Sequence, residues 1–194
     1  MERRYNVEAP ITAVRAGGGA TIQGYAAVFF DGSPETEYEL WGGVRERILP
    51  GAFDGVLAGK GPDVVALRNH DPDRLLARRS AGNLRLTVDN RGLRYEADLA
   101  DTSAARDTIE DLRAGNLKGS SFAFQVVAEE WRDDGDDQIR ELKDLQVHDV
   151  GPVTYPAYEG TTADTRFAEA RSRRDRWALR ARVAARLAEM ERGA

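Results

Sequence analysis

SSFAFQVVAEEWRDDGDDQIRELKDLQVHDV, residues 120–150, reads as two strands folded back on each other. SSFAFQVVAEEW alternates in the two-residue period of a strand with one buried face. RDDGDD is a polar turn with a glycine inside it. QIRELKDLQVHDV then returns, with ELKD interrupting the alternation, until the prolines of GPVTYPAY close the pattern. Alternation also sorts the side chains. Ser120, Phe122, Phe124 and Val126 share an apolar face, and Ser121, Ala123, Gln125 and Val127 share the other. Ser120 therefore belongs to a core, while Ser121 faces out beside a small alanine with room for a substrate backbone. If Gly135 centres the turn, Ser121 lies fourteen residues before it and Asp149 fourteen after, which sets the two opposite each other.

Upstream, strands and turns dominate. TIQGYAAVFF (21–30) is β-branched and aromatic with one glycine, the mark of a bent or bulged strand. VRERIL alternates until Pro50-Gly51 stops it, and PGAFDGVLAGKG suggests a short helix entered at proline and ended by glycine. VVALRNH is a strand running into a loop at NHDPD. LRLTVDNRGLRYEADLA is a hairpin around Asp89–Gly92. TSAARDTIEDLRAG has a helical period, with Thr102 or Ser103 as N-cap and Gly115 at the left-handed position after its end. From Ala163 the composition shifts to Ala, Arg and Glu at helical spacing. The expected organisation is a 1–162 domain, mainly β with helices (α+β), followed by an amphipathic helical tail over 163–194.

The chain of 194 residues is long enough for a real core, and a net charge of −5 argues against a protein that coats nucleic acid. No apolar run reaches the roughly 18 residues of a membrane span, and MERRYNVEAP lacks the apolar region of a signal peptide. A soluble, intracellular protein is the expectation. The absence of cysteine removes thiol nucleophiles and thiolate metal sites, and two histidines without an HExxH pattern make a zinc centre a poor fit. No metal and no cofactor is expected.

A serine hydroxyl needs a base, and histidine titrates near neutrality. His70 stands where an apolar strand meets a loop; His148 lies within a strand. The imidazole needs a partner on its other nitrogen, and Asp149, on a face shared with Leu145 and Val147, is a carboxylate that burial would oblige to pair. The same residues also suit plain roles: a turn hydroxyl, a hydrogen-bonded loop histidine, an aspartate marking a strand edge.

The order of motifs resembles the prohead maturation proteases of tailed bacteriophages and related gene-transfer particles. The likeness covers roughly residues 20–162: GYAAVF (24–29), ILPGAF (48–53), VVALRNHDPDRLLAR (64–78), the LRLTVDNRGLRYEADL hairpin, KGSSFAF (118–124) and DVGPVTYPAY (149–158). The resemblance implies Ser121 as nucleophile, His70 as general base and Asp149 as third member. It also implies similarity to herpesvirus assemblins, where a second histidine takes the third role, so His148 stands as the alternative. Gly151 replaces a usual serine and Ala123 a usual glycine. The implied fold is a closed, seven-stranded antiparallel β-barrel flanked by helices. The implied activity is endoproteolysis of scaffold, or of the scaffolding segment of the major capsid protein, inside the procapsid in the bacterial cytoplasm. The implied partners are major capsid protein and scaffold, with the portal and the chain itself (by autocleavage) as further ones, in an oligomeric or shell-associated state. The Arg-rich tail lies outside the likeness: its plain reading is a solvated helix packing Phe167 and Trp177 on the barrel or a partner, and its functional reading is docking on scaffold or shell with trimming by the protease itself. A non-catalytic assembly factor with a protease-like fold is the alternative. An esterase of small substrates is a third, disfavoured because GxSxG is absent.

Overall fold

The computed structural model describes residues 1–6, 12–16, 19–41, 44–135 and 137–154. In chain order the elements are β1 (Glu2–Asn6), β2 (Thr12–Ala16), β3 (Gly19–Val28), β4 (Tyr38–Trp41), β5 (Val44–Ile48), α1 (Asp54–Leu57), β6 (Val65–Leu67), β7 (Leu75–Arg78), β8 (Leu84–Val88), β9 (Gly92–Leu99), α2 (Ser103–Arg113), β10 (Gly119–Asp134) and β11 (Asp137–Val153). The expected tail helix over 163–194 lies outside the described residues.

β10 and β11, of 16 and 17 residues, form the long hairpin read from the sequence. β11 is the spine of a sheet ordered β1-β10-β11-β5-β4. One edge of β11 carries β10 antiparallel. The other edge is divided between β5, beside Gln138–Leu142, and β6, beside Asp149–Val150, both parallel to it. Between those contacts the turn at residues 49–52 closes on the spine, with Leu49 N donating to Leu142 O and Leu145 N to Ala52 O. A second sheet is ordered β2-β3-β9-β8 and is antiparallel throughout.

The expectation of one closed antiparallel barrel is corrected here. Among the described residues the ladders form two sheets that do not join, and β5 and β6 run parallel to β11. The reason is local: β5 and β6 are short, of 5 and 3 residues, and each covers only part of one long edge. The two sheets share one core. Phe122 and Phe124 stack at 4.7 Å, Phe53 meets Phe122 edge-on at 6.1 Å, and Ile22, Leu93 and Tyr95 of the second sheet pack into the same cluster. Each such side chain contributes about 1.5–3 kcal/mol by leaving water.

The hairpin ladder holds three irregularities, and one of them decides the site. Val127 on β10 and Lys143 on β11, within the ELKD interruption, are each skipped by the pairing and cancel one another. Then Phe124 pairs with Val147 while Ala123 pairs with Asp149, so His148 is an unmatched bulge residue. Val147 and Val150, three apart, both enter the core as a result, and Asp149 turns to the face of Ser121. The expectation that Asp149 shares a face with Leu145 and Val147 is corrected by this bulge.

Candidate active site

Ser121 is placed by strand alternation. Its neighbour Ser120 faces the core, fully buried, with its Oγ 3.0 Å from the Tyr95 hydroxyl, whose pKa burial pushes up. Ser121 points the other way, opposite Gly151 on β11. It is only 2% exposed, less open than alternation suggests, because β1 pairs with β10 at this point.

His70 is delivered by the loop after β6. Asn69 and His70 both hold left-handed backbone conformations, φ 56° and 57°, which cost a non-glycine residue about 1–2 kcal/mol and suit asparagine best. The loop is held by a clamp on the end of β11. Asn69 N donates to Pro152 O at 3.0 Å, Asn69 Oδ1 accepts from Thr154 N at 2.8 Å, and Asn69 Nδ2 donates to Thr154 Oγ1 at 3.2 Å. Arg68 reaches α2, where its guanidinium donates to Asp111 at 2.6 Å. Hydrogen bonds from the Asn116 amide and from Arg68 hold the Asp111 carboxyl below its usual range.

Gly151 lets the loop come this close. Its φ is 153°, and a Cβ there would stand 2.0 Å from the Leu67 carbonyl oxygen. The glycine that departs from the resembled pattern is thus a requirement of this chain's own backbone.

The outcome is a line of three side chains. Asp149 Oδ1 lies 2.5 Å from His70 Nδ1, and His70 Nε2 lies 2.5 Å from Ser121 Oγ. Asp149 is 6% exposed, and the side chain of His70 is 9% exposed. With Asp149 accepting from Nδ1–H, Nε2 is left as the acceptor for a hydroxyl proton. His148 is elsewhere: its Nε2 is 3.0 Å from Gln125 Oε1. The structure therefore brings Ser121, His70 and Asp149 together and leaves His148 out. Ser121 Oγ also donates to the Arg4 carbonyl oxygen at 2.9 Å. Among the described residues no group of three or more His, Asp or Glu side chains is spaced to hold a metal ion.

A family model described as Caudovirus prohead serine protease matches residues 7–174 of the 194. The chain belongs to that family. Its activity class is accordingly that of a serine protease in phage capsid maturation. No curated protein and no solved structure matched the chain. β1 precedes the stretch that the prohead protease model matches. Sequence reasoning missed Asn69 as a clamp, although asparagine before histidine in a loop was a signal for left-handed backbone. It also missed the bulge at His148 and the strand β1, for which a short polar segment offers no periodic cue.

Proposed function

We propose that Ser121 is the nucleophile, His70 the general base and Asp149 the group that orients it. In this reading the protease cleaves scaffold, or the scaffolding segment of the major capsid protein, inside the procapsid of the host cell. The observation that supports it is the unbroken contact line Asp149–His70–Ser121, at 2.5 Å and 2.5 Å, on three separate chain segments.

His70 Nε2 takes the Ser121 proton as Oγ forms a bond to the scissile carbonyl carbon. Asp149 stabilises the resulting imidazolium without taking its proton. Collapse of the tetrahedral intermediate breaks the C–N bond, and His70 returns the proton to the leaving amine. Water, activated by the same imidazole, then hydrolyses the acyl-serine. The left-handed backbone at His70 matches the strained geometry that clusters at reactive positions.

The test is co-expression with the capsid precursor. Wild type should convert the precursor to the mature length, and Ser121→Ala should leave it uncut, a loss on the order of 10⁶-fold in rate. Normal precursor processing by the Ser121→Ala chain would end the reading. Normal shells with an uncut precursor in both chains would point instead to an assembly factor.

A further inference from the structure

The nucleophile already has a strand lying on it. β1 runs antiparallel to Ser120–Phe124 at the start of β10, with Tyr5 opposite Ser121 and Arg4 opposite Phe122. The Arg4–Tyr5 peptide is therefore the one beside the hydroxyl, and Ser121 Oγ donates to its carbonyl oxygen at 2.9 Å. A serine hydroxyl has one proton. Arg4 O and His70 Nε2 both stand within reach of Ser121 Oγ, so β1 competes with the base for that proton. Without β1 this part of β10 would be a free sheet edge, the kind that accepts an extended peptide by main-chain pairing.

The Arg4 side chain shows what the place selects. Its Nε donates to Glu46 Oε1 at 2.5 Å and one terminal nitrogen to Glu46 Oε2 at 2.9 Å, a two-point grip on a carboxylate with no solvent exposure. The guanidinium lies 5.4 Å from the Phe124 ring centre, and it also meets Glu2 at 2.8 Å. Burial alone would lower the Arg4 pKa, yet Glu46 and Glu2 together raise it. Arg140 joins from β11, donating to Glu46 at 2.9 Å, to Glu129 at 2.6 Å and to Glu2 at 2.8 Å. Three carboxylates thus meet two guanidinium groups. Removing β1 takes away Glu2 and Arg4 and leaves Glu46 and Glu129 sharing the Arg140 guanidinium. A buried carboxylate that loses its bidentate partner calls for another cation.

We propose that β1 occupies the place of the substrate strand, and that the Glu46 pocket selects an arginine or lysine on the amino side of the scissile bond. This rests on the serine protease reading above. β1, outside the family match, fills the subsite while no substrate is bound. An arriving strand with a basic residue displaces it and restores the Glu46 pair.

The test uses the full chain and fluorogenic peptides built on ERRYN, the β1 sequence, with the second arginine kept or changed to lysine, methionine or glutamate. The Arg and Lys peptides should be cut at least about a hundred-fold faster in kcat/KM than the Met peptide, as expected for a buried charge left unpaired. Glu46→Gln should reduce that ratio, and Arg4→Ala, which unfastens β1, should lower KM about ten-fold at unchanged kcat. The wild-type panel stands even if either variant folds poorly. Equal cutting of the Arg and Met peptides overturns the inference and leaves the protease reading intact. If no peptide is cut, sequencing the new amino termini of the co-expressed capsid precursor decides. A basic residue before the junction supports the subsite, and any other residue overturns it. A precursor that stays whole fails the protease reading itself.

Discussion

Gly151→Ala tests whether the His70 loop is placed by its close approach to β11. The added Cβ would stand 2.0 Å from the Leu67 carbonyl oxygen, whereas real Cβ contacts essentially never fall under 3.0 Å. The Leu67 carbonyl must therefore move by about 1 Å in a close-packed interior. Leu67 lies three residues before His70, and the clamp of Asn69 on Pro152 and Thr154 couples the loop to the strand that has been pushed away. A misplacement of about 1 Å in a reacting group costs about 10²-fold in rate. The backbone conformation adds about 1–3 kcal/mol of strain for a residue with a side chain. The overlap adds about 1–3 kcal/mol more. At about 2–4 °C per kcal/mol for a chain of this size, a total near 4 kcal/mol lowers the melting temperature by roughly 8–16 °C. Gly82→Ala is the control. Its φ is 78°, but nothing lies within 4 Å of the added Cβ, so only the conformational cost of about 1 kcal/mol applies and activity stays whole. Thermal melts and precursor cleavage by both variants provide the comparison. A Gly151→Ala chain that melts within a degree of wild type and cleaves at full rate would refute the reasoning.

Asp149→Asn keeps the shape but loses the charge that fixes the imidazole, and kcat should fall by about 10⁴-fold, while His148→Ala, whose ring is hydrogen-bonded to Gln125 and not to His70, should stay within a few-fold. Tyr95→Phe leaves the Ser120 hydroxyl buried without its partner and should cost about 1–2 kcal/mol in a denaturant melt with cleavage retained. Acid should loosen the tie between α2 and the His70 loop. The folded pKa of Asp111 is lowered by Asn116 and Arg68, so its stabilisation is full above the unfolded value and is lost as pH falls through the lowered one. Melting temperatures measured from pH 6 to pH 2 should therefore decline less steeply for Asp111→Asn than for wild type, and parallel curves would contradict this.

The two serines show how far alternation reaches. Period two correctly sends Ser120 to the core and Ser121 to the opposite face, because β10 is regular from Gly119 to Ala123. The hairpin arithmetic holds less well. It sets Ser121 opposite Asp149, whereas Ser121 pairs with Gly151 and Asp149 with Ala123. The turn pairs Asp134 with Asp137 instead of centring on Gly135, which adds one residue, and the bulge at His148 adds another. Two shifts of one leave Asp149 on the Ser121 face, two positions along. The parallel pairing of β5 and β6 with β11 was not legible, since contacts between distant segments leave no local period. β1 was hidden for a different reason: its docking rests on ion pairs of Glu2 and Arg4 with Glu46 and Arg140, not on an apolar pattern.

The unmatched residue at position 148 makes β11 behave like a reading frame. Inserting or deleting one residue between the start of that strand and Asp149 would rotate the carboxylate to the wrong side of the sheet without altering a single site residue. An insertion offset by a deletion within the strand restores both the face and the position of Asp149 and would be silent, as would a change confined to the loop at its tip. Length variation among related chains should therefore gather at the tip and come in compensating steps along the strand.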